Sequence, residues 1–174
     1  MIRIVVTGPE SSGKTTLATQ LSRHFNCPWI PEYARAFLMK QNGNYVREDL
    51  EIILEGQLKS WEKVKGMPLV IYDTDTSVLK VWHEFKYGTN NPVIDLAFSQ
   101  QKTDLFLLCK PDISYEEDPL RENPNERDEL FSLYENLLAP HKTKVRIIDG
   151  EGEIRLQKAI DAVAKIVQSP TSRD

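Results

Sequence analysis

Gly8-Pro9-Glu10-Ser11-Ser12-Gly13-Lys14-Thr15 carries the phosphate-loop pattern G-x-x-x-x-G-K-[ST], filled at Gly8, Gly13, Lys14 and Thr15. In this pattern the glycines let the backbone curl until successive N–H groups converge on one anion. Lys14 then reaches the outer phosphates, and the Thr15 hydroxyl is placed to ligate a magnesium ion. The residues before the loop, Ile2-Arg3-Ile4-Val5-Val6, read as a short β-branched strand. Those after it, Thr16 to Phe25, put Leu17, Leu21 and Phe25 at four-residue spacing on a helix. The loop thus bridges a strand end and a helix N-terminus, where the dipole favours phosphate. Glu10, Ser11, Ser12 and Thr16 belong to the same turn and are expected to line the nucleotide site with it.

At 174 residues, 40% hydrophobic and 28% charged, the chain suits one domain with a sizeable core. A formal net charge of −4 argues against a nucleic-acid binder held by bulk positive charge. No run approaches the roughly 18 apolar residues of a membrane helix, and the N-terminus reads as a core strand, not a signal peptide. Cys27 and Cys109 follow no metal-ligand spacing and lie among apolar residues. Buried thiols in a reducing cytoplasm are therefore expected. Residues 1–168 read as a single domain and 169–174 as a flexible tail. The sequence carries no signal of oligomeric state.

Four later segments read as buried strands: Pro28-Trp29-Ile30, Leu69-Val70-Ile71-Tyr72, Leu105-Phe106-Leu107-Leu108 and Val145-Arg146-Ile147-Ile148. Apolar runs separated by helical stretches indicate a parallel sheet covered on two sides. The helical stretches are Val46 to Lys65, Glu126 to Leu138 and Ile154 to Val167, each with an apolar stripe. The expected architecture is a three-layer α/β/α phosphate-loop NTPase domain with a five-stranded, mostly parallel sheet. In such a sheet the ligand sits beyond the carboxyl ends of the strands, so chemistry is expected just after each one.

After the second strand come Glu32 and Arg35, three apart at the start of a helix. Two readings stand: both face the cleft, or Glu32 complements the helix dipole and Arg35 is solvated. After the third strand comes Asp73-Thr74-Asp75. Asp73 occupies the place where phosphate-loop enzymes hold magnesium, directly or through water. Asp75 either accepts a proton from a substrate hydroxyl or caps the helix starting at Thr76. Trp82 and Tyr87 either stack on a flat heterocycle or pack in the core. His83, a lone histidine beside Glu84, is expected at the surface.

The fourth strand ends in Cys109-Lys110-Pro111-Asp112, close to the guanine-reading Asn-Lys-x-Asp but without its asparagine. Asp73-Thr74-Asp75-Thr76 also lacks the glycine of an Asp-x-x-Gly switch, so a GTPase reading fails twice and ATP is the expected donor. Residues 112–127, which contain Asp118, Arg121 and Arg127, read either as a solvated polar loop or as a lid region. Kinases of small metabolites close such arginines over the transferring phosphoryl group. Asp149-Gly150, after the last strand, borders the nucleotide base by analogy of fold alone.

Taken in order, Gly8 to Leu17, Pro31-Glu32-Tyr33-Ala34-Arg35, Gly56-Gln57, Asp73-Thr74-Asp75 and Asp118-Pro119-Leu120-Arg121 resemble the nicotinamide riboside kinase domain of the bifunctional NadR-type proteins. The resemblance runs from Ile2 to about Val167. It implies ATP- and magnesium-dependent phosphorylation of the ribose 5′-hydroxyl of nicotinamide riboside, giving nicotinamide mononucleotide. It also gives Gly56 a purpose, because a glycine weakens a helix by roughly 1 kcal/mol unless another group must approach closely. The adenylyltransferase motif His-x-Gly-His of the bifunctional proteins does not occur here, so the mononucleotide but not NAD is the expected product.

The expected catalytic set is Lys14, Asp73, Asp75, Arg121 and Arg127, with Thr15 and Asp73 on magnesium and Asp75 or Glu32 as base. Glu32, Tyr33, Arg35, Gln57, Asp75, Trp82 and Asp118 are expected to bind the small-molecule nucleoside. Two alternatives remain at this level: a kinase for another nucleoside or nucleotide of the thymidine or thymidylate kind, and a regulatory ATP-binding ATPase.

Overall fold

A computed structural model describes residues 1–121, 123 and 125–168; the expected flexible tail, 169–174, and positions 122 and 124 of the lid region lie outside the described residues. The chain runs β1 (Ile2–Thr7), α1 (Lys14–Phe25), β2 (Trp29–Ile30), α2 (Tyr33–Lys40), α3 (Asp49–Glu62), β3 (Leu69–Asp73), α4 (Thr76–Tyr87), α5 (Pro92–Gln100), β4 (Leu105–Cys109), α6 (Arg127–Leu138), β5 (Val145–Ile148) and α7 (Gly152–Gln168). A 3₁₀ turn, Ala139–Lys144, leads into β5. The five strands lie in the order β2-β3-β1-β4-β5, and every pairing is parallel.

Side chains alternate across β1 and so divide the core in two. Ile4 and Val6 pack with Leu17 and Leu21 of α1 and with Val163 of α7. Val5, on the opposite face, packs with Val70, Tyr72, Phe106 and, from α6, Leu130 and Tyr134. These are the three layers expected. Each fully buried aliphatic side chain contributes roughly 1.5–3 kcal/mol, so this packing, more than helix propensity, holds α1 behind the phosphate loop.

Two expectations change. Val145–Ile148 was read as apolar on both faces, yet β5 is the sheet edge and leaves Arg146 and Ile147 exposed. α5 was not foreseen, although its start is written in Asn91-Pro92. The Asn91 side chain accepts from the Val93 and Ile94 amides at 2.8 and 3.2 Å, and Pro92 takes the first turn. Both cysteines are free; Cys109 is buried, and burial pushes its thiol up to about 11. Among the described residues no helix is long and apolar enough to cross a membrane.

Candidate active site

Strand β1 ends at the sheet centre, and the chain turns there into α1. Gly8 has φ +136°, and a Cβ on it would lie 2.6 Å from the Cys109 carbonyl oxygen. No side chain fits between β1 and the end of β4. Gly13, with φ +77°, takes the left-handed conformation that starts α1. Within the turn, Ser12 Oγ donates to the Pro9 carbonyl at 2.7 Å and Lys14 Nζ to the same oxygen at 2.6 Å. Lys14 is thereby folded back over the loop. The loop floors a cavity of about 450 Å³, lined by Gly8 through Thr16 and by residues of both flanks.

Asp73 ends β3 beside this loop. Its carboxyl is pushed up by burial, against a hydrogen bond from Thr15 and the charges of Lys14 and Arg35. Its Oδ1 is buried without a hydrogen-bond partner among the described residues. A buried orphan oxygen signals a missing partner. With the exposed Thr15 hydroxyl next to it, this donor set fits a largely hydrated magnesium ion.

Asp75 is not part of this centre. Two residues along a strand its side chain would share a face with Asp73, but Thr74 adopts φ +68° and breaks the alternation. Asp75 Oδ1 then accepts from the Ser77 amide at 3.0 Å and from the Ser77 hydroxyl, and Oδ2 accepts from Gln101 Nε2 at 2.7 Å. The carboxylate caps α4. Three of its roughly four acceptor positions are thus taken up within the protein.

Glu32, unlike Asp75, faces the cavity. It stands at the N-cap of α2 and lines the cavity. Burial pushes its carboxyl up to about 7, opposed by Lys14 and Arg35 and assisted by Asp73. Arg35 lines the cavity too and pairs with Asp118 Oδ2 at 2.6 Å, tying α2 to the lid region. Tyr33 and Gln57 are outside the cavity lining. A Cβ on Gly56 would lie 2.1 Å from the Tyr33 ring, so Gly56 exists for that ring. Gln57 Oε1 accepts from the Tyr33 amide at 2.8 Å and fixes the first turn of α2, which is how it serves Glu32. Trp82 does line the cavity, with Tyr45, Phe85 and Leu38, and its Nε1 donates to the Tyr45 hydroxyl at 2.7 Å. His83, expected at the surface, is 1% exposed.

The lid region lies folded on the phosphate loop. Ser11 Oγ accepts from the Glu116 amide at 2.9 Å and from Arg121 at 3.2 Å, and Glu10 accepts from the Asn123 amide. Arg121 reaches the cavity. Arg127 does not; it donates to the carbonyls of Ser11 and Ile113, each at 3.1 Å, and staples the lid to the loop.

One residue of the site was missed in the sequence. Arg155 is 5% exposed and lines the cavity behind Gly13. Its guanidinium donates to the carbonyls of Gly150 and Ser12, each at 2.6 Å, and of Lys110 at 2.9 Å, and pairs with Asp112. A cation in the first turn of a helix has the wrong sign for the dipole, and that was the available signal.

A phosphate loop at the centre of a parallel sheet, a carboxylate ending the next strand and an arginine-bearing lid define a phosphate-loop domain of the nucleoside-kinase-like α/β fold. The chain belongs to the AAA domain family, whose pattern matches residues 3–155. Among solved structures it is similar to the NadR protein in complex with NR, at 26% identity over 95% of this chain and 51% of that one, with a TM-score of 0.80. It is also similar to NadR in complex with NAD and AMP-PNP, at 26% identity over 95% and 49%, with a TM-score of 0.76. The chain spans about half the length of these structures. The likeness drawn from the motifs to the NadR kinase domain is therefore borne out. The deoxyadenosine kinase of M. mycoides, solved with dCMP and dCDP, shares the fold at 12% identity over 94% and 100%, with a TM-score of 0.67. No curated protein matches the chain.

Proposed function

We propose that this domain is an ATP-dependent kinase that phosphorylates the ribose 5′-hydroxyl of nicotinamide riboside. The observation that carries this reading is the continuity of one cavity from the phosphate loop to Glu32 and the aromatic wall of Tyr45, Trp82 and Phe85. The phosphates of a bound nucleotide lie on the loop amides and Lys14, and the aromatic wall accepts a flat base. Its similarity to the NadR protein with NR favours nicotinamide riboside over other nucleosides.

Phosphoryl transfer asks the protein mainly for position and charge. Thr15 and Asp73 would hold magnesium, which neutralises charge on the phosphates. Glu32 orients the acceptor hydroxyl and takes its proton, a task suited to a carboxylate that titrates at about 7. Arg121 stands over the transferring group. Gln57 and Arg127 act at one remove, through α2 and through the lid.

The test is ADP release with nicotinamide riboside, thymidine and uridine in parallel. Turnover dependent on nicotinamide riboside is expected. Preference for thymidine or uridine would reassign the acceptor, and nucleoside-independent hydrolysis would favour a regulatory ATPase.

A further inference from the structure

His83 makes no contact with the cavity, yet it anchors a wall of it. Residues 41–48 link α2 to α3 and cross the outside of α4. Tyr45 packs edge-on against Trp82, ring centroids 4.7 Å apart, and its hydroxyl also accepts from Lys86. Two residues on, Arg47 is the second attachment. Its Nε donates to His83 Nε2 at 3.0 Å, another guanidinium nitrogen donates to Thr89 Oγ1 at 3.0 Å, and the guanidinium lies 5.7 Å from the Tyr87 ring centre.

The roles within this contact follow from the partners. The Thr89 carbonyl, 2.7 Å from His83 Nδ1, can only accept, so Nδ1 carries the proton and Nε2 keeps its lone pair for Arg47. A histidine in this tautomer links the turn after α4 to the crossing segment through one rigid ring. Being buried, the ring has no water to replace either partner. Trp82, the preceding residue of α4, faces the cavity, so ring and wall share one helical turn.

We propose that His83 is a positioning residue for acceptor binding: by accepting the Arg47 N–H, it holds residues 44–47, and with them the Tyr45 wall, against α4. This rests on the kinase reading, in which the aromatic half of the cavity receives the nucleoside. The donor half is built elsewhere, on the β4 and β5 side, so loss of the clamp spares ATP.

Two measurements decide it. Without substrate, His83→Leu is expected to speed amide exchange at residues 44–47 by about tenfold, the size of one lost hydrogen bond to a charged group, while the phosphate loop keeps its protection. Unchanged exchange there overturns the clamp. In steady state, KM for nicotinamide riboside is expected to rise about tenfold, with kcat and KM for ATP within about twofold. His83→Gln, which offers a carbonyl to Arg47, is expected to recover most of that affinity. An equal loss for both substrates, or a glutamine variant as impaired as leucine, overturns the positioning role. Should His83→Leu fail to fold, Arg47→Ala removes the same bond from its exposed side and serves both arms. A wild type that phosphorylates no nucleoside would defeat the kinase reading and the acceptor role, and the exchange result would still judge the clamp.

Discussion

On the β4 and β5 side of the phosphate loop the cavity wall is held through main chain. Arg155 gathers the carbonyls of Ser12, Lys110 and Gly150 around one buried guanidinium, and Asp112 closes the set. On the β2 and β3 side the wall is side chain: Glu32, Arg35, Tyr45, Trp82 and Phe85. Backbone held from behind presents the same geometry whatever the surface residues are. A wall of side chains can change one residue at a time. The difference teaches where a fold of this kind keeps its common function and where it varies the substrate.

Substitutions can break this contrast or sharpen it. The largest effect is expected at the hinge between the flanks, where Lys14→Ala should reduce turnover by roughly a thousandfold while leaving the thermal midpoint nearly unchanged. Retained phosphoryl transfer in that variant would remove the loop from the chemistry. Next comes Arg155→Met, which leaves three carbonyls without their buried donor and should lower unfolding free energy by roughly 3 kcal/mol. A urea midpoint shifted at constant slope would report it. If Trp82→Leu, on the other flank, destabilised the domain as much, the contrast between the flanks would be lost.

Glu32 offers a pH test. Below the ordinary value of 4.5 both folded and unfolded chains hold its proton; from there to about 7 only the folded chain does. Stability from this group therefore declines as pH rises through that window, and ionised Glu32 burdens the fold above it. Glu32→Gln should then be more stable than wild type at pH 8 and nearly inactive. For wild type, kcat/KM should rise about tenfold per pH unit below about 7 and flatten above it. A flat profile would exclude Glu32 as the base. The smallest effect is expected from Asp75→Asn, which keeps a capping oxygen: about 1 kcal/mol of stability and activity within about threefold. A loss as deep as that of Asp73→Asn would return Asp75 to the chemistry.

The phosphate loop, the alternation of strands and helices along the chain and the place of Asp73 at the end of its strand were legible because each depends on neighbours in sequence. Periodicity reveals a strand, and a fixed spacing reveals the loop. The residues misread or missed have partners that only the fold supplies. Asp75 meets Gln101, 26 positions away; Arg127 meets Ser11 across 116 positions, and Arg155 meets Ser12 across 143. Gln57 looked like a substrate ligand because nothing local says that it reaches Tyr33. His83 looked solvated because a histidine beside a glutamate usually is; Arg47 and Thr89, which make its burial tolerable, lie on other segments. Thr74 parted two carboxylates that strand geometry would have paired.

Gly8 and Lys14 stand in the same motif but answer to different demands. With φ +136° and the Cys109 carbonyl where a Cβ would go, Gly8 is a condition for the strands to meet at all. The Lys14 ammonium donates to the Pro9 carbonyl of the loop it serves. A mutational survey scored by cellular abundance should therefore show position 8 intolerant and position 14 permissive, and the same survey scored by growth that depends on the kinase reaction should show both intolerant. The two ends of one signature would separate into a residue that the chain needs in order to exist and one that it needs only in order to work.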